Sequence, residues 1–380
     1  MSSGHSTNMS AESELSRDAI EAKYGMFRKN VLRAYGMRRP MRALDAMVAH
    51  VEDLLHGSDL DAPLDRPVFV LGNFRSGTTF LEQVLARHPS LGHFTLTTSA
   101  FPRSPRFADV MRRTVPGFAS AMVAPHHPNM VIDAASPFEA EAIWRFCRNN
   151  LWTAEASNVL DSDFSDPPFE RVLLRLIQKQ LRLVGRARFI NKNPPNTVRL
   201  GFLSRLFPDA RFVYIVRHPL RMLRSQLDME RALRRVFPDQ TGHDYGEAFS
   251  NLFVPRAKLF MRTAGHAAIE AACARDPALG LAMSLVDVHR ELTAMQERGG
   301  LGDRVLTIRY EDLVTSFEPE ITKVLTFLGL NDEAGRALAR SQARSVDDTL
   351  LSRRSPPPTF SPEVLEILRP LGECFGHTMK

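Results

Sequence analysis

Arg75-Ser-Gly-Thr-Thr79 follows closely on the apolar run Val68-Phe-Val-Leu71 and the turn Gly72-Asn-Phe74. A turn that enters a helix leaves its first backbone N–H groups unpaired and aimed outward, and the helix dipole adds partial positive charge. Such a place favours a phosphate. Gly77 lets the backbone approach a ligand with no Cβ in the way, and the Thr78 and Thr79 hydroxyls add donors. Gly72 and Gly77 have the spacing of a nucleotide P-loop. Thr78, however, stands where a nucleoside-triphosphate enzyme carries lysine, and the cation has moved back to Arg75. Taken alone, the motif also fits a plain strand-to-helix turn.

A second cluster is Val216-Arg217-His218-Pro219, with Ser225 eight residues after Arg217. A guanidinium fork at a strand end and a hydroxyl two turns into the next helix could clamp a further phosphate.

The elements around these residues read as an α/β unit. Val68–Leu71, Arg188–Lys192, Arg211–Val216 and Arg304–Arg309 are short, mostly apolar runs bounded by turn residues. Helical patterns over Thr78–Arg87, Pro195–Leu206, Leu220–Met229 and about Glu320–Leu328 alternate with them. Strands alternating with helices predict a three-layer, P-loop-type fold with a central parallel sheet, and ligands gather at the strand C-terminal ends. Residues 1–66 are expected to form an N-terminal helical extension. Residues 67–380 would form one main domain, with helical insertions at about 100–180 and 229–300 serving as lids and substrate contacts.

Lys and Arg number 49 against 43 Asp and Glu, a net charge of +6 over 380 residues. The arginines are scattered, which suits an anionic ligand better than a nucleic-acid track. Cys147, Cys273 and Cys374 are too far apart and too few for a disulfide framework or a paired metal site. No metal is expected, and a reducing cytoplasm is the expected compartment. The polar start has no signal-peptide pattern, and no apolar run is long enough to span a bilayer.

Together the two clusters resemble the sulfotransferases that use 3′-phosphoadenosine-5′-phosphosulfate, PAPS. Further similarity lies in Asn191-Lys-Asn-Pro-Pro-Asn196, in Leu206-Phe-Pro-Asp-Ala-Arg-Phe-Val-Tyr-Ile-Val-Arg-His-Pro219, and in Ile308-Arg-Tyr-Glu-Asp-Leu-Val314 leading to Phe327-Leu-Gly-Leu330. The resemblance runs from about Val68 to Leu330 and is nearest to the bacterial and tyrosylprotein-like branches, where arginine replaces the loop lysine. It implies transfer of a sulfuryl group to an acceptor hydroxyl on a carbohydrate, lipid or small molecule. Arg75, Ser76, Gly77, Thr78 and Thr79 would hold the 5′-phosphosulfate, Arg217 and Ser225 the 3′-phosphate, and Tyr310 the adenine. Arg75 would also stabilise the leaving group, and Lys192 the transition state. Arg353 and Arg354 are candidates for a late basic loop over the 3′-phosphate.

The general base is where the chain departs from that pattern. The tyrosylprotein-like branch has a glutamate soon after the loop helix, but this chain has His93-Phe-Thr-Leu-Thr-Thr-Ser99 there. Glu139 and Glu141, in Ser136-Pro-Phe-Glu-Ala-Glu141, become the carboxylate candidates. Two apart, they cannot share a face. Glu141 is preferred, because Glu139 is placed to cap the first helical turn. His93, His126 and His127 are alternatives with a titration range near neutrality. A P-loop kinase is the enzyme rival, and it would require a loop lysine and a magnesium-binding aspartate. A non-catalytic nucleotide- or polyanion-binding relative is the other rival.

Overall fold

The computed structural model describes residues 19, 22–23, 25, 39–56, 64–99, 101–116, 122–124, 127–139, 141, 143–144, 159–236, 265–346 and 359–379. Cys147, His126, Arg353 and Arg354 lie outside these residues.

Helix α1 (Arg39–His56) precedes strand β1 (Val68–Leu71), helix α2 (Thr78–Leu85), strand β2 (Leu91–Gly92) and helix α3 (Pro105–Thr114). A hairpin of β3 (Met122–Ala124) and β4 (His127–Ile132) comes next, then α4 (Pro167–Val184), β5 (Arg188–Lys192), α5 (Leu200–Leu206), β6 (Arg211–Val216) and α6 (Pro219–Val236). The chain continues through α7 (His266–Arg275), α8 (Pro277–Arg298), β7 (Val305–Arg309), α9 (Tyr310–Thr315), α10 (Phe317–Phe327), α11 (Glu333–Val346) and α12 (Pro362–Cys374).

Five strands form one sheet in the order β2-β5-β1-β6-β7, and every neighbouring pair is parallel. Its central strands are buried on both faces, which is why they read as unbroken apolar runs. Alternate side chains serve different layers. Phe69 and Leu71 of β1 join Phe212, Tyr214 and Val216 of β6 in a core closed by α4, α5 and α8. Val68 and Val70 join Val213 and Ile215 in a second core, closed by α2, α9, α10 and α11. The first layer is aromatic: Phe69 stacks on Phe212 at 5.7 Å between ring centroids and meets Phe207 at 5.4 Å. This three-layer α/β arrangement is the one the sequence pattern predicts.

Two elements differ from that prediction. The helix expected from Pro195 to Leu206 is split into a 3-10 turn, Pro194–Arg199, and α5. Pro194 and Pro195 supply no N–H to an α-helical ladder, and the Thr197 hydroxyl is committed to the Gly72 backbone. The insertion expected to be mainly helical also carries the β3-β4 hairpin, paired antiparallel from Met122↔Ile132 to Ala124↔His127.

Register fixes what the sheet presents. Val70 sits opposite Lys192 on one side and Val213 on the other, and Val216 sits opposite Arg309. The C-terminal ends of β1, β5, β6 and β7 therefore open on one edge, each followed by a polar cluster. Phe69→Ala should lower the unfolding free energy by about 3–5 kcal/mol, read as an earlier midpoint in urea denaturation.

Candidate functional site

The turn from β1 into α2 is built from positive-φ backbone, with the Ser76 N–H donating within the turn to Asn73 O at 3.2 Å. Gly72 has φ 153°, Arg75 φ 70° and Gly77 φ 105°. Positive φ is cheap for glycine and costs a branched or bulky residue energy, so Arg75 is held there by its surroundings. Gly77 occupies the N-cap of α2 with no side-chain cap, and the first N–H groups of an α-helix have no intrahelical acceptor.

The rest of the loop is tied down from behind. Gly72 N–H donates to Thr197 Oγ1 at 2.9 Å, and the same hydroxyl donates to Gly72 O at 3.2 Å. Gln226 Nε2 donates to Phe74 O at 2.8 Å, and Arg217 Nη1 to Arg75 O at 3.2 Å. Ser76 is fully buried, and its Oγ has no hydrogen-bond partner among the described residues. Thr78 is buried and Thr79 half-buried at the helix start.

The second cluster closes on the first. Arg75 Nε donates to Ser225 Oγ at 2.9 Å, so the loop cation and the α6 hydroxyl are one group. The Arg217 guanidinium lies 4.6 Å from the Tyr310 ring centroid, a cation–π distance. A Cβ built on Gly77 would collide with that same ring. Arg75, Gly77, Arg217, Ser225 and Tyr310 thus form one basic, aromatic-walled patch. Behind it, His218 N–H donates to Glu311 Oε1 at 2.9 Å, and the His377 ring packs 4.9 Å from the His218 ring. Burial lowers the pKa of both imidazoles, which favours the neutral form.

Next to the loop, the end of β5 carries a third group. Lys192 Nζ donates to Glu139 Oε1 at 2.7 Å, and the Lys192 N–H donates to Glu82 Oε1 at 2.8 Å. Glu139 keeps 34% of its side chain exposed, whereas Glu141 is 1% exposed. The two glutamates have different tasks. Glu141 receives Arg199 through both oxygens, at 2.8 and 3.0 Å, and Asn193 Nδ2 donates to it as well. Arg199 in turn lies 4.1 Å from the Trp144 ring centroid.

Glu139, expected to cap a helical turn, is the carboxylate on Lys192. His93, just after β2, has Nε2 3.1 Å from Ala135 O in the turn that follows β4, and burial lowers its pKa. It touches none of the groups above. His127 lies in β4, and its side chain is outside the described residues.

Sequence reasoning missed Glu82. It is 1% exposed in α2 and shares the buried face with Thr78 and Leu85. Burial pushes its pKa up to about 7, against the opposing pull of Lys192. Its signal in the sequence is a carboxylate at the i+4 position from Thr78, where the helical pattern places an apolar residue. Thr197 and Gln226, which hold the loop, gave no such signal.

A sequence model of the sulfotransferase family matches residues 67–264, just over half of the 380 residues. The chain belongs to this family. Among curated sulfotransferases, it is 26% identical over 291 residues to the omega-hydroxy-beta-dihydromenaquinone-9 sulfotransferase Stf3 of Mycobacterium bovis and of Mycobacterium tuberculosis. That alignment covers 70% of this chain and 64% of the relatives' length. Among solved sulfotransferases, STF9 from Mycobacterium avium superposes with TM-score 0.53 at 16% identity, covering 87% of this chain and 82% of that one. STF1 from Mycobacterium tuberculosis superposes with TM-score 0.51 at 14% identity, covering 78% and 76%. These two share the fold.

The buried pair separates the two candidate bases by experiment. Removing one partner of a buried ion pair leaves the other uncompensated, at about 3–5 kcal/mol. Glu141→Gln should therefore lower stability by a large part of that amount in denaturant titrations, while Glu139→Gln, which removes a carboxylate 34% exposed but leaves Lys192 only 4% exposed, should cost less.

Proposed function

We propose that the protein is a PAPS-dependent sulfotransferase that passes a sulfuryl group to the hydroxyl of a lipid or carbohydrate. The observation that carries this reading is the closure of Arg75 and Ser225 into one group beside an uncapped helix N-terminus. Two phosphate clamps distant in sequence thereby share one edge of the sheet. The names of the mycobacterial relatives favour a lipid alcohol within that acceptor class.

The residues fit such a co-substrate. The Ser76 hydroxyl is buried without a partner among the described residues, and Gly77 has no room for a side chain. The Ser76, Gly77, Thr78 and Thr79 backbone, with their hydroxyls, would hold the 5′-phosphosulfate. Arg217 and Ser225 would hold the 3′-phosphate, and Tyr310 would wall the adenine. When bound, PAPS supplies a sulfuryl group on a phosphate leaving group.

Sulfuryl transfer, like phosphoryl transfer, needs an in-line nucleophile and neutralisation of the leaving group more than covalent help from the protein. Arg75 neutralises charge growing on the bridging oxygen. Lys192, at the end of the neighbouring strand, steadies the transferring oxygens. Glu139, partly exposed and hydrogen-bonded to Lys192 Nζ, takes the proton of the acceptor hydroxyl. Glu141, saturated by Arg199, supports the floor of the site.

Residues 67–380 form the transferring unit in this reading, with the insertions at about 100–180 and 229–300 contacting the acceptor and residues 1–66 a helical extension. Three cysteines far apart in the sequence suit a reducing, cytoplasmic setting in this reading. No helix among the described residues is long and apolar enough to cross a membrane.

Thermal denaturation tests the ligand. Adenosine 3′,5′-bisphosphate without magnesium should raise the midpoint, by RT ln(1 + [L]/Kd) in free energy; stabilisation only by Mg-ATP would point to a kinase instead. Lys192→Ala should cut turnover at saturating PAPS about 100- to 1,000-fold. Unchanged turnover would remove Lys192 from the mechanism.

A further inference from the structure

Glu82 has no part in the mechanism above, yet it is a fully buried carboxyl in contact with it. It projects from α2 one turn beyond Thr78, and its Oε1 accepts the Lys192 N–H at 2.8 Å in a buried setting. The charged groups that act on it are Lys192 at the end of β5 and Glu139, which accepts from the Lys192 ammonium. Neither α2 nor β1 contributes another charged side chain.

When Glu82 is ionised, Glu82 and Glu139 set two negative charges against the one positive charge of Lys192, and the three side chains carry net negative charge beside the loop. When Glu82 is protonated, the group is neutral. An anion in the loop and a proton on Glu82 therefore favour one another, and by linkage each must raise the affinity of the other equally.

We propose that Glu82 is a positioning residue that holds Lys192 by its backbone and takes up one proton from water when the nucleotide anion fills the loop. The proton goes to the Glu82 carboxyl, and its electron balance needs no other reactant. Burial already brings the carboxyl to about 7 in the free protein, and the bound anion moves it higher. Nucleotide affinity then weakens as the pH rises through that range, by up to about tenfold per pH unit. The proposal rests on the nucleotide reading of the loop.

Glu82→Gln separates this role from a purely structural one, because glutamine still offers a carbonyl to the Lys192 N–H and cannot titrate. Isothermal titration with adenosine 3′,5′-bisphosphate at pH 7.5, in two buffers of different ionisation heat, counts the protons taken up. The ligand's own phosphate protons titrate alike in both proteins, so the difference between them belongs to Glu82. The wild type should take up roughly half a proton more per nucleotide than Glu82→Gln, and the variant should lose the steep fall of affinity between pH 7 and 8. Equal uptake and equal pH dependence in the two would overturn the proposal. Should the variant fold poorly, the wild type decides alone: an affinity flat from pH 7 to 8 overturns it. Absence of any bisphosphate binding would overturn the nucleotide reading itself, a result distinct from binding without proton uptake.

Discussion

The site depends on one constraint: the backbone between Gly72 and Gly77 must turn sharply from β1 into α2, and must be kept from relaxing. Three positive-φ residues make the turn. Side chains from elsewhere hold its carbonyls, Thr197 from the turn after β5, Gln226 from α6 and Arg217 from the end of β6. Each of these comes from a strand end or the element just beyond it. The parallel register of β5, β1 and β6 is therefore what makes the loop possible, and the aromatic layer around Phe69 keeps that register in place.

The same register sorts charge. Cations gather at the loop edge, with Arg75 and Arg217 on one side and Lys192 on the other, while Glu141 and Arg199 form a buried pair beneath them. A buried ion pair is a poor source of net stability compared with apolar packing. Here it stacks on Trp144 and holds Asn193 immediately after Lys192. The pair thus fixes the direction in which β5 delivers its lysine. Glu139, two residues before Glu141, is left partly exposed and paired with Lys192.

Much of this was legible in the sequence. The strands Val68–Leu71, Arg188–Lys192 and Arg211–Val216 were clear because strands buried on both faces leave unbroken apolar runs bounded by turns. The loop read as a strand, turn and helix start, and Arg217 and Ser225 joined it only through the resemblance that the two clusters carry together. Other features were hidden for physical reasons. The ranking of Glu139 against Glu141 depends on which side of the chain meets Arg199, and a segment of irregular backbone between hairpin and helix has no period from which to read it. Glu82 was masked because an amphipathic pattern reports burial and says nothing of a single polar member with a buried partner. The hairpin from Met122 was missed because a three-residue strand is too short to show alternation.

The central claim is that the loop holds a phosphosulfate and that the neighbouring residues pass its sulfuryl group to a hydroxyl. The most direct measurement incubates the purified protein with PAPS labelled in the sulfuryl sulfur and a lipid extract, then follows the label by chromatography. The account predicts label in an alcohol-bearing lipid fraction, dependent on Glu139 and Lys192. Label that stays on the nucleotide or leaves only as free sulfate, while the protein binds adenosine 3′,5′-bisphosphate, would contradict it.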